Sequence, residues 1–313
     1  VLFFGGGTYM PYFYEKKTGA TISCAINRYI YVTAKYHNNY QEKYRLNYSE
    51  TENTNNLSNI KNLRIKKVIE MLKISRPLYI NTFADIPANS GLGSSSSFTV
   101  GLIKALGKLR NKSFSNNKIA EMAYKIESEI TKGSLGKQDH YIAAYGGIKH
   151  ITYSKKKVLV SSIKLKKKNL KMFLNSSSLI WTGKNRIAAN VLKDQKKNFF
   201  NNYENLIMLN QFTKKFKIEF EKPKLDVKKL AKIISQTWIL KKRFSKYISN
   251  NKIDKIFKKI ENKGAYGGKL LGAGNGCYIL VLSSIKKKKE LIKYLNNYKY
   301  LDIKLENKGS VIL

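Results

Sequence analysis

The chain has 313 residues, 42% hydrophobic and 12% aromatic, enough to bury the core of one large domain or two ordinary ones. Its 60 lysines and arginines stand against 20 aspartates and glutamates, a net charge of +40. No apolar run reaches the length of a membrane span, no signal peptide is read, and Cys24 and Cys277 make neither a disulfide framework nor a metal cluster, so a cytoplasmic protein is expected.

The charge invites a nucleic-acid reading. Yet the lysines are scattered, with only short runs at 155–157, 166–168 and 286–289, and Asn, Ile and Tyr are abundant too. Together these read as coding bias acting on a solvated surface, and neither a nucleic acid nor a membrane is expected as partner. Such a field would still steer anionic ligands toward the protein.

In chain order, Phe3-Phe4-Gly5-Gly6-Gly7-Thr8 reads as a strand end breaking into a glycine loop, whose bare backbone a substrate can approach. Residues 22–34 are rich in β-formers and predict one strand. The polar, Asn-rich stretch 38–62 predicts a long hairpin loop or insertion, followed by a short helix over 65–72 and a strand over 78–84. Pro87-Ala88-Asn89-Ser90-Gly91-Leu92-Gly93 and four serines, Ser94–Ser97, come next. Apolar residues at 98, 102, 105, 106 and 109 then have helical spacing. The serines are expected to cap that helix, and its positive end is a site for anions, phosphate above all. An ordinary capped helix after a flexible turn is the plainer alternative. The loop lacks the Gly-Lys-Ser/Thr ending of the Walker motif, and its hydroxyls could give Mg²⁺ an oxygen ligand.

Residues 116–130 predict a helix with the apolar stripe Ile119, Ala123, Ile126 and Ile130. Helical phase places Glu127 inside the arc of that stripe and Glu129 well away from it. A carboxylate on a packed face needs a partner, either a lysine or Mg²⁺. After a loop over 133–138, Asp139 opens the segment Tyr141–Ala144, and strands follow over 148–153 and 158–163. A strand is predicted over 170–180, then a loop through Arg186 opening one long helix. Asp226 caps a helix through about Phe244, and residues 253–261 form another. A second glycine-rich stretch, 265–276, leads into a strand over 277–282, a helix over 285–297 and a strand over 300–305. This last part alternates strands and helices on one sheet, a ferredoxin-like order.

Three separated motifs resemble those of the GHMP kinases. Residues 87–95 match the pattern Pro-x-x-x-Gly-Leu-Gly-Ser-Ser. Phe4–Thr8 with Pro11 resembles the first motif of the heptose 7-phosphate kinase branch, and Gly136-Lys137-Gln138-Asp139 with Gly146-Gly147 resembles its catalytic segment. Thr182-Gly183 with Arg186 looks like its sugar-side loop, and Gly267–Gly274 resembles the third motif.

The resemblance implies an α+β fold of two domains. Residues 1–168 would form an ATP-binding domain like the second domain of ribosomal protein S5, and residues 169–313 a ferredoxin-like domain. It implies transfer of the γ-phosphoryl of ATP to the anomeric hydroxyl of a heptose 7-phosphate, for GDP-heptose and surface polysaccharide. Pro87, Ser90, Gly91, Leu92, Gly93, Ser94, Ser95 and Ser96 match the residues that hold ATP, and Ser95 and Glu127 match the Mg²⁺ ligands. Asp139 matches the residue that deprotonates the acceptor. Gly6, Gly7, Thr8, Arg186, Gly272 and Gly274 match the sugar side; Arg186, and Lys184 beside it without a family match, are expected to meet the acceptor's own phosphate, the plainer alternative being two exposed basic residues in a very basic chain. A homodimer is compatible with this reading.

Three departures stand out. Tyr9 replaces an Asp, and Asn275 falls where glycine is usual. A basic residue expected eight positions before Thr8 would sit immediately before Val1, so the chain is expected to be a truncated form. The rival readings are a GHMP kinase for another sugar, such as fucose, and a non-catalytic RNA-binding protein with a kinase shell.

Overall fold

The computed structural model describes residues 1–38, 42–88, 90–183 and 188–313. The chain opens with strand β1 (Leu2–Phe4), a proline-started turn of helix α1 (Pro11–Tyr14) and strand β2 (Gly19–Cys24), which is buried at every position. The strand expected over 22–34 is two strands. Strand β3 (Ile30–Tyr36) belongs to another sheet. Between them Ala25 donates to the carbonyl of Gly147, Asn27 donates to that of Lys304, and Ile26 bridges Leu305. Their backbone groups are spent on other partners, so one continuous ladder cannot run through them.

The polar stretch after β3 holds a hairpin of its own, β4 (Tyr44–Asn47) and β5 (Thr51–Thr54). Helix α2 (Leu63–Leu72) starts at Asn62, whose side chain accepts from the N–H groups of Arg64 and Ile65, and it buries Ile65, Val68, Ile69 and Leu72. Strand β6 (Leu78–Ala84), α3 (Ser94–Leu109), α4 (Asn116–Ile130) and α5 (Gln138–Tyr145) follow, then strands β7 (Ile148–Tyr153) and β8 (Val158–Ser162).

The strand expected over 170–180 is also corrected. Residues 167–175 are helix α6 (Lys167–Asn175), and only β9 (Ser177–Trp181) is extended. Asn169 and Phe173, four apart, face inward. Asn169 donates to the carbonyls of Lys222 and Pro223, and Phe173 packs edge-on against Phe3 at 5.2 Å between ring centroids. Those two contacts need helical spacing. The single long helix expected next is two, α7 (Ala188–Lys197) and α8 (Tyr203–Phe220), separated by a 3₁₀ turn. Helices α9 (Val227–Lys242) and α10 (Asn251–Asn262) lead to β10 (Gly267–Leu270), β11 (Tyr278–Leu282), α11 (Ile285–Tyr294) and β12 (Tyr300–Asp302). Asp226 caps α9 through Lys229 N–H.

The chain forms two compact units, whose limits differ from a division at 168/169. The first comprises residues 1–27, 90–92 and 147–307. It holds two antiparallel sheets, ordered β1-β2-β7-β8 and β10-β11-β9-β12. Its core gathers Phe13, Leu206, Trp238, Phe244, Ile256 and Ile279 among others. The second comprises residues 28–88, 93–146 and 308–313. Its sheet is ordered β3-β6-β4-β5, with β4 and β6 parallel, and α2, α3 and α4 bury Ile69, Leu102, Ile103, Ala123 and Ile126. The fold is thus α+β. No helix among the described residues is long and apolar enough to cross a membrane.

One core position of the first unit is a lysine. Lys269 on β10 is buried, and its ammonium donates to the carbonyl of Phe3 at 3.1 Å. Burial penalises the charged form and pushes its pKa down to about 7. An unfolded lysine titrates near ~10.4. Between those values the unfolded chain holds a proton that the folded chain has released, so stability rises with pH across that window. We expect urea unfolding of wild type and Lys269→Met at pH 7 and pH 10 to show the difference moving toward wild type by on the order of a few kcal/mol. An unchanged difference would mean that Lys269 does not titrate in the fold.

Candidate active site

Helix α3 begins at Gly93, whose left-handed φ of 83° no branched residue adopts easily. A Cβ there would also lie 3.2 Å from Cγ and Oδ1 of Asp139. Glycine is therefore needed at this position for two reasons, and Asp139, in the first turn of α5, stands directly against the head of α3.

The serines do not cap this helix as expected. The residue at the cap is Gly93, with no side-chain bond, and Ser97 N–H returns to the Gly93 carbonyl at 2.9 Å. The hydroxyls go elsewhere. Ser95 Oγ donates to Oε1 of Glu127, and Ser96 Oγ donates to Oε2 at 3.0 Å. The first-turn N–H groups of α3 are thus left without a side-chain cap, as an anion site requires.

Glu127 is 1% exposed and lies on the inner face of α4, while Glu129 is at the surface, paired with Lys67 at 2.8 Å. Its carboxylate is held from all sides. Arg64 Nε on α2 is 2.5 Å from Oε1, Thr99 Oγ1 on α3 donates to the same oxygen at 3.1 Å, and His140 Nε2 on α5 lies 2.9 Å from Oε2. Burial by itself would raise the pKa of this carboxyl. The His140 hydrogen bond and charge, the Arg64 guanidinium and the Ser95 hydroxyl outweigh it and hold the group well below the usual carboxylate range. The other ring nitrogen of His140, Nδ1, is buried with no hydrogen-bond partner among the described residues, and the ring meets Tyr124 edge-on at 5.8 Å.

Sequence reasoning found Glu127 and missed Arg64, Thr99 and His140. Thr99 lay within reach of inference, four residues after Ser95 on one helix face. Arg64 did not, because it joins the network from 63 residues away.

Ser95 Oγ and Glu127 Oε1 are hard oxygen donors in contact, of the kind Mg²⁺ takes. No cluster of three His, Cys, Asp or Glu among the described residues could build a full cage. One carboxylate and one hydroxyl suit a Mg²⁺ whose other ligands are phosphate oxygens and water. The Arg64 guanidinium bears on the same oxygen and competes for it.

The remaining expected site residues fall as follows. Pro87 is exposed. Ser90 is buried, its hydroxyl without a hydrogen-bond partner among the described residues, and Gly91 has φ 75°. Ser90, Gly91 and Leu92 group with the first unit, whereas Ser94, Ser95 and Ser96 group with the second. Gly6, Gly7, Thr8, Gly272 and Gly274 lie in the first unit. Thr8 is fully buried, its hydroxyl 2.9 Å from the Gly5 carbonyl and 2.8 Å from that of Ala20, so its side chain shapes the turn. Gly274 has φ 131°, and a Cβ there would sit 2.6 Å from the backbone of Ile248. Asn275 takes φ 62°, a conformation asparagine tolerates, and its side chain accepts from Asn250 at 3.1 Å. Lys184 and Arg186 lie outside the described residues.

The family described as GHMP kinases N terminal domain matches residues 63–147, which span α2 to α5 and so carry Arg64, Gly93, Ser95, Glu127, Asp139 and His140. The chain is 30% identical over 303 residues to a D-glycero-alpha-D-manno-heptose 7-phosphate kinase of Campylobacter jejuni, covering 93% of this chain and 89% of that protein. It is 29% identical over 255 residues to a mevalonate kinase of Methanocaldococcus jannaschii, covering 80% and 77%. A solved D-glycero-D-manno-heptose 1-phosphate kinase of Bacteroides thetaiotaomicron shares the fold, with a TM-score of 0.81 over 99% of this chain and 94% of that one at 24% identity.

The network predicts unequal costs for two neighbouring glutamates. Glu127→Gln removes the charge that offsets Arg64 and His140 and should destabilise by ~3 kcal/mol, the scale for breaking a buried pair. Glu129→Gln loses an exposed pair and should cost less than ~1 kcal/mol. Urea unfolding near neutral pH checks this, and equal losses would contradict the inward placement of Glu127.

Proposed function

We propose that this chain, which belongs to the GHMP kinase family and is a phosphotransferase, moves the γ-phosphoryl of ATP to the anomeric hydroxyl of a heptose 7-phosphate. The acceptor is read from the 30% identity to a heptose 7-phosphate kinase over nearly the whole chain. The observation that carries the chemistry is Asp139 against Gly93, which sets a carboxylate beside the free N–H groups of a sixteen-residue helix.

In this reading the N–H groups of Gly91 to Ser96 hold the ATP phosphates, with Pro87, Ser90 and Leu92 shaping the approach. Asp139 orients the acceptor hydroxyl and takes its proton as the new O–P bond forms and the bond to ADP breaks. Ser95 and Glu127 would hold Mg²⁺, which would supply charge neutralisation for the nucleotide's phosphates. Arg64 and His140 keep Glu127 ionised in a buried position. Gly6, Gly7, Gly272 and Gly274 are assigned to the sugar side, with Thr8 shaping the first glycine turn from within, and Lys184 and Arg186 are assigned to the sugar's phosphate. The product is a 1,7-bisphosphate, a precursor for GDP-heptose and surface polysaccharide.

We also propose that the family domains run 1–168 and 169–313. The sheet ordered β10-β11-β9-β12 supports a ferredoxin-like second domain, since numbering its strands by sequence gives 2-3-1-4 with every neighbour antiparallel.

Three measurements test this. Heptose 7-phosphate, fucose, galactose and mevalonate, each offered with ATP and scored by ADP release, should rank with the heptose phosphate first, and a preference for another acceptor overturns that part. Asp139→Asn should lower kcat by about 10² or more, with the KM for ATP within about twofold. Near wild-type turnover would remove Asp139 as base. Glu127→Gln, but not Glu129→Gln, should raise the Mg²⁺ concentration needed for half-maximal rate.

A further inference from the structure

The Glu127 carboxylate has no acceptor position left over. Oε1 receives Arg64 Nε at 2.5 Å and the Ser95 hydroxyl, and Oε2 receives the Ser96 hydroxyl at 3.0 Å and His140 Nε2 at 2.9 Å. A carboxylate offers about four lone-pair sites, so these donors fill it. Thr99 Oγ1 stands by as a further donor, 3.1 Å from Oε1 and 3.1 Å from the Ser95 carbonyl. A Mg²⁺ ion reaching this carboxylate must therefore displace a donor.

The donors differ in how readily they can leave. Ser96, Thr99 and His140 are buried, and moving one of them off would strand a polar group in the core. Ser95 is exposed, and its oxygen can stay as a ligand while its hydrogen turns away. Arg64 is the donor that can go. Its side chain is 29% exposed, and it stands in the first turn of α2 on a long stem. It holds Glu127 through Nε, and its two terminal nitrogens make no hydrogen bond or ion pair among the described residues. The part of the guanidinium fork that matches phosphate is thus unused. Exposed Ser95, in contact with the same carboxylate oxygen, puts this edge of the network at the solvent-facing head of α3.

We propose that Arg64 is a phosphate ligand of the nucleotide, held on Glu127 in the free protein and given over to the phosphates when Mg²⁺ occupies that carboxylate. The proposal rests on the kinase reading above and deepens it. Two cations on one carboxylate oxygen repel each other, so metal and guanidinium would use Oε1 in turn. The buried charge is then compensated in both states, by Arg64 before the nucleotide arrives and by the metal afterwards. Metal alone must expel Arg64 with no anion to receive it. Metal arriving with a nucleotide brings that anion, so the free protein should bind Mg²⁺ poorly.

The test compares wild type, Arg64→Gln and Arg64→Lys by titration calorimetry at high salt, where scattered lysines attract anions least. The ligands are Mn²⁺ alone, standing in for Mg²⁺, and Mg·ATP without acceptor. Arg64→Gln should bind Mn²⁺ about tenfold or more tightly than wild type and Mg·ATP about tenfold or more weakly, with adenosine within about twofold. These opposite signs set the proposal apart from a structural role, which would weaken both ligands or neither. Unchanged Mn²⁺ affinity, or a loss on both, overturns it. Arg64→Lys keeps a cation on Glu127 without the fork, and it covers the case in which Arg64→Gln does not fold. It should bind Mn²⁺ within about twofold of wild type and still lose about threefold or more on Mg·ATP, and equal Mg·ATP affinity overturns the phosphate role. No acceptor or turnover enters these measurements, so they stand if heptose phosphate proves not to be the acceptor. Wild type failing to bind Mg·ATP at all overturns the nucleotide site and this proposal with it, whereas equal binding by all three proteins overturns Arg64 alone.

Discussion

The Glu127 carboxylate is the point on which the second unit depends. A buried charge is tolerated only where it is fully met, and here four helices meet it: α2 through Arg64, α3 through Ser95, Ser96 and Thr99, α4 through Glu127 itself and α5 through His140. A slip in the register of any of these helices would strand a charge or a donor. Asp139 inherits its position from this arrangement. It is the neighbour of His140, so when His140 turns into the carboxylate, Asp139 is rotated by about 100° toward Gly93. A polar network in the core thereby fixes the direction of a group at its edge.

The first unit works with the opposite sign of charge. Its glycine stretches are bordered by two buried lysines, Lys269 against the Phe3 carbonyl and Lys241 against the Gly272 carbonyl. A backbone carbonyl oxygen accepts from each ammonium group. In a chain of net charge +40, nearly all cations are free to stay in water, which makes two inward-facing lysines a feature of the fold and not of composition.

The sequence made some of this legible and not the rest, for reasons that lie in particular residues. Helix α4 was readable because Ile119, Ala123 and Ile126 repeat at helical spacing, and the same phase put Glu127 inside. Glycine at 93 announced a turn before a helix, though not that Asp139 would fill the space a Cβ would take. The segment 170–175 reads as extended because Leu170, Met172, Phe173 and Leu174 are apolar without clear period, and its helix is settled by distant partners, the carbonyls of Lys222 and Pro223. The break between β2 and β3 is likewise made by Gly147 and Lys304, more than 100 residues away. Local propensity sees neither. Serine hydroxyls at the head of α3 were expected to serve their own helix, and a buried carboxylate on another helix competed successfully for them.

The pairing of β2 with β7 has a consequence for the order in which the chain can fold. Cys24 finds its ladder partner only at Ile148, and almost everything between belongs to the other compact unit. On a ribosome adding ~5–20 residues per second, β2, already beside β1, therefore waits on the order of ten seconds for its second neighbour. Over that interval residues 28–146 emerge nearly complete, with α2 to α5 and their sheet in hand. The unit encoded in the middle of the gene can close while the ends that build the other are still apart. A strand such as β2, buried at every position in the folded chain and with one edge unpaired until then, is the segment most exposed to mispairing, and the one whose protection during synthesis matters most.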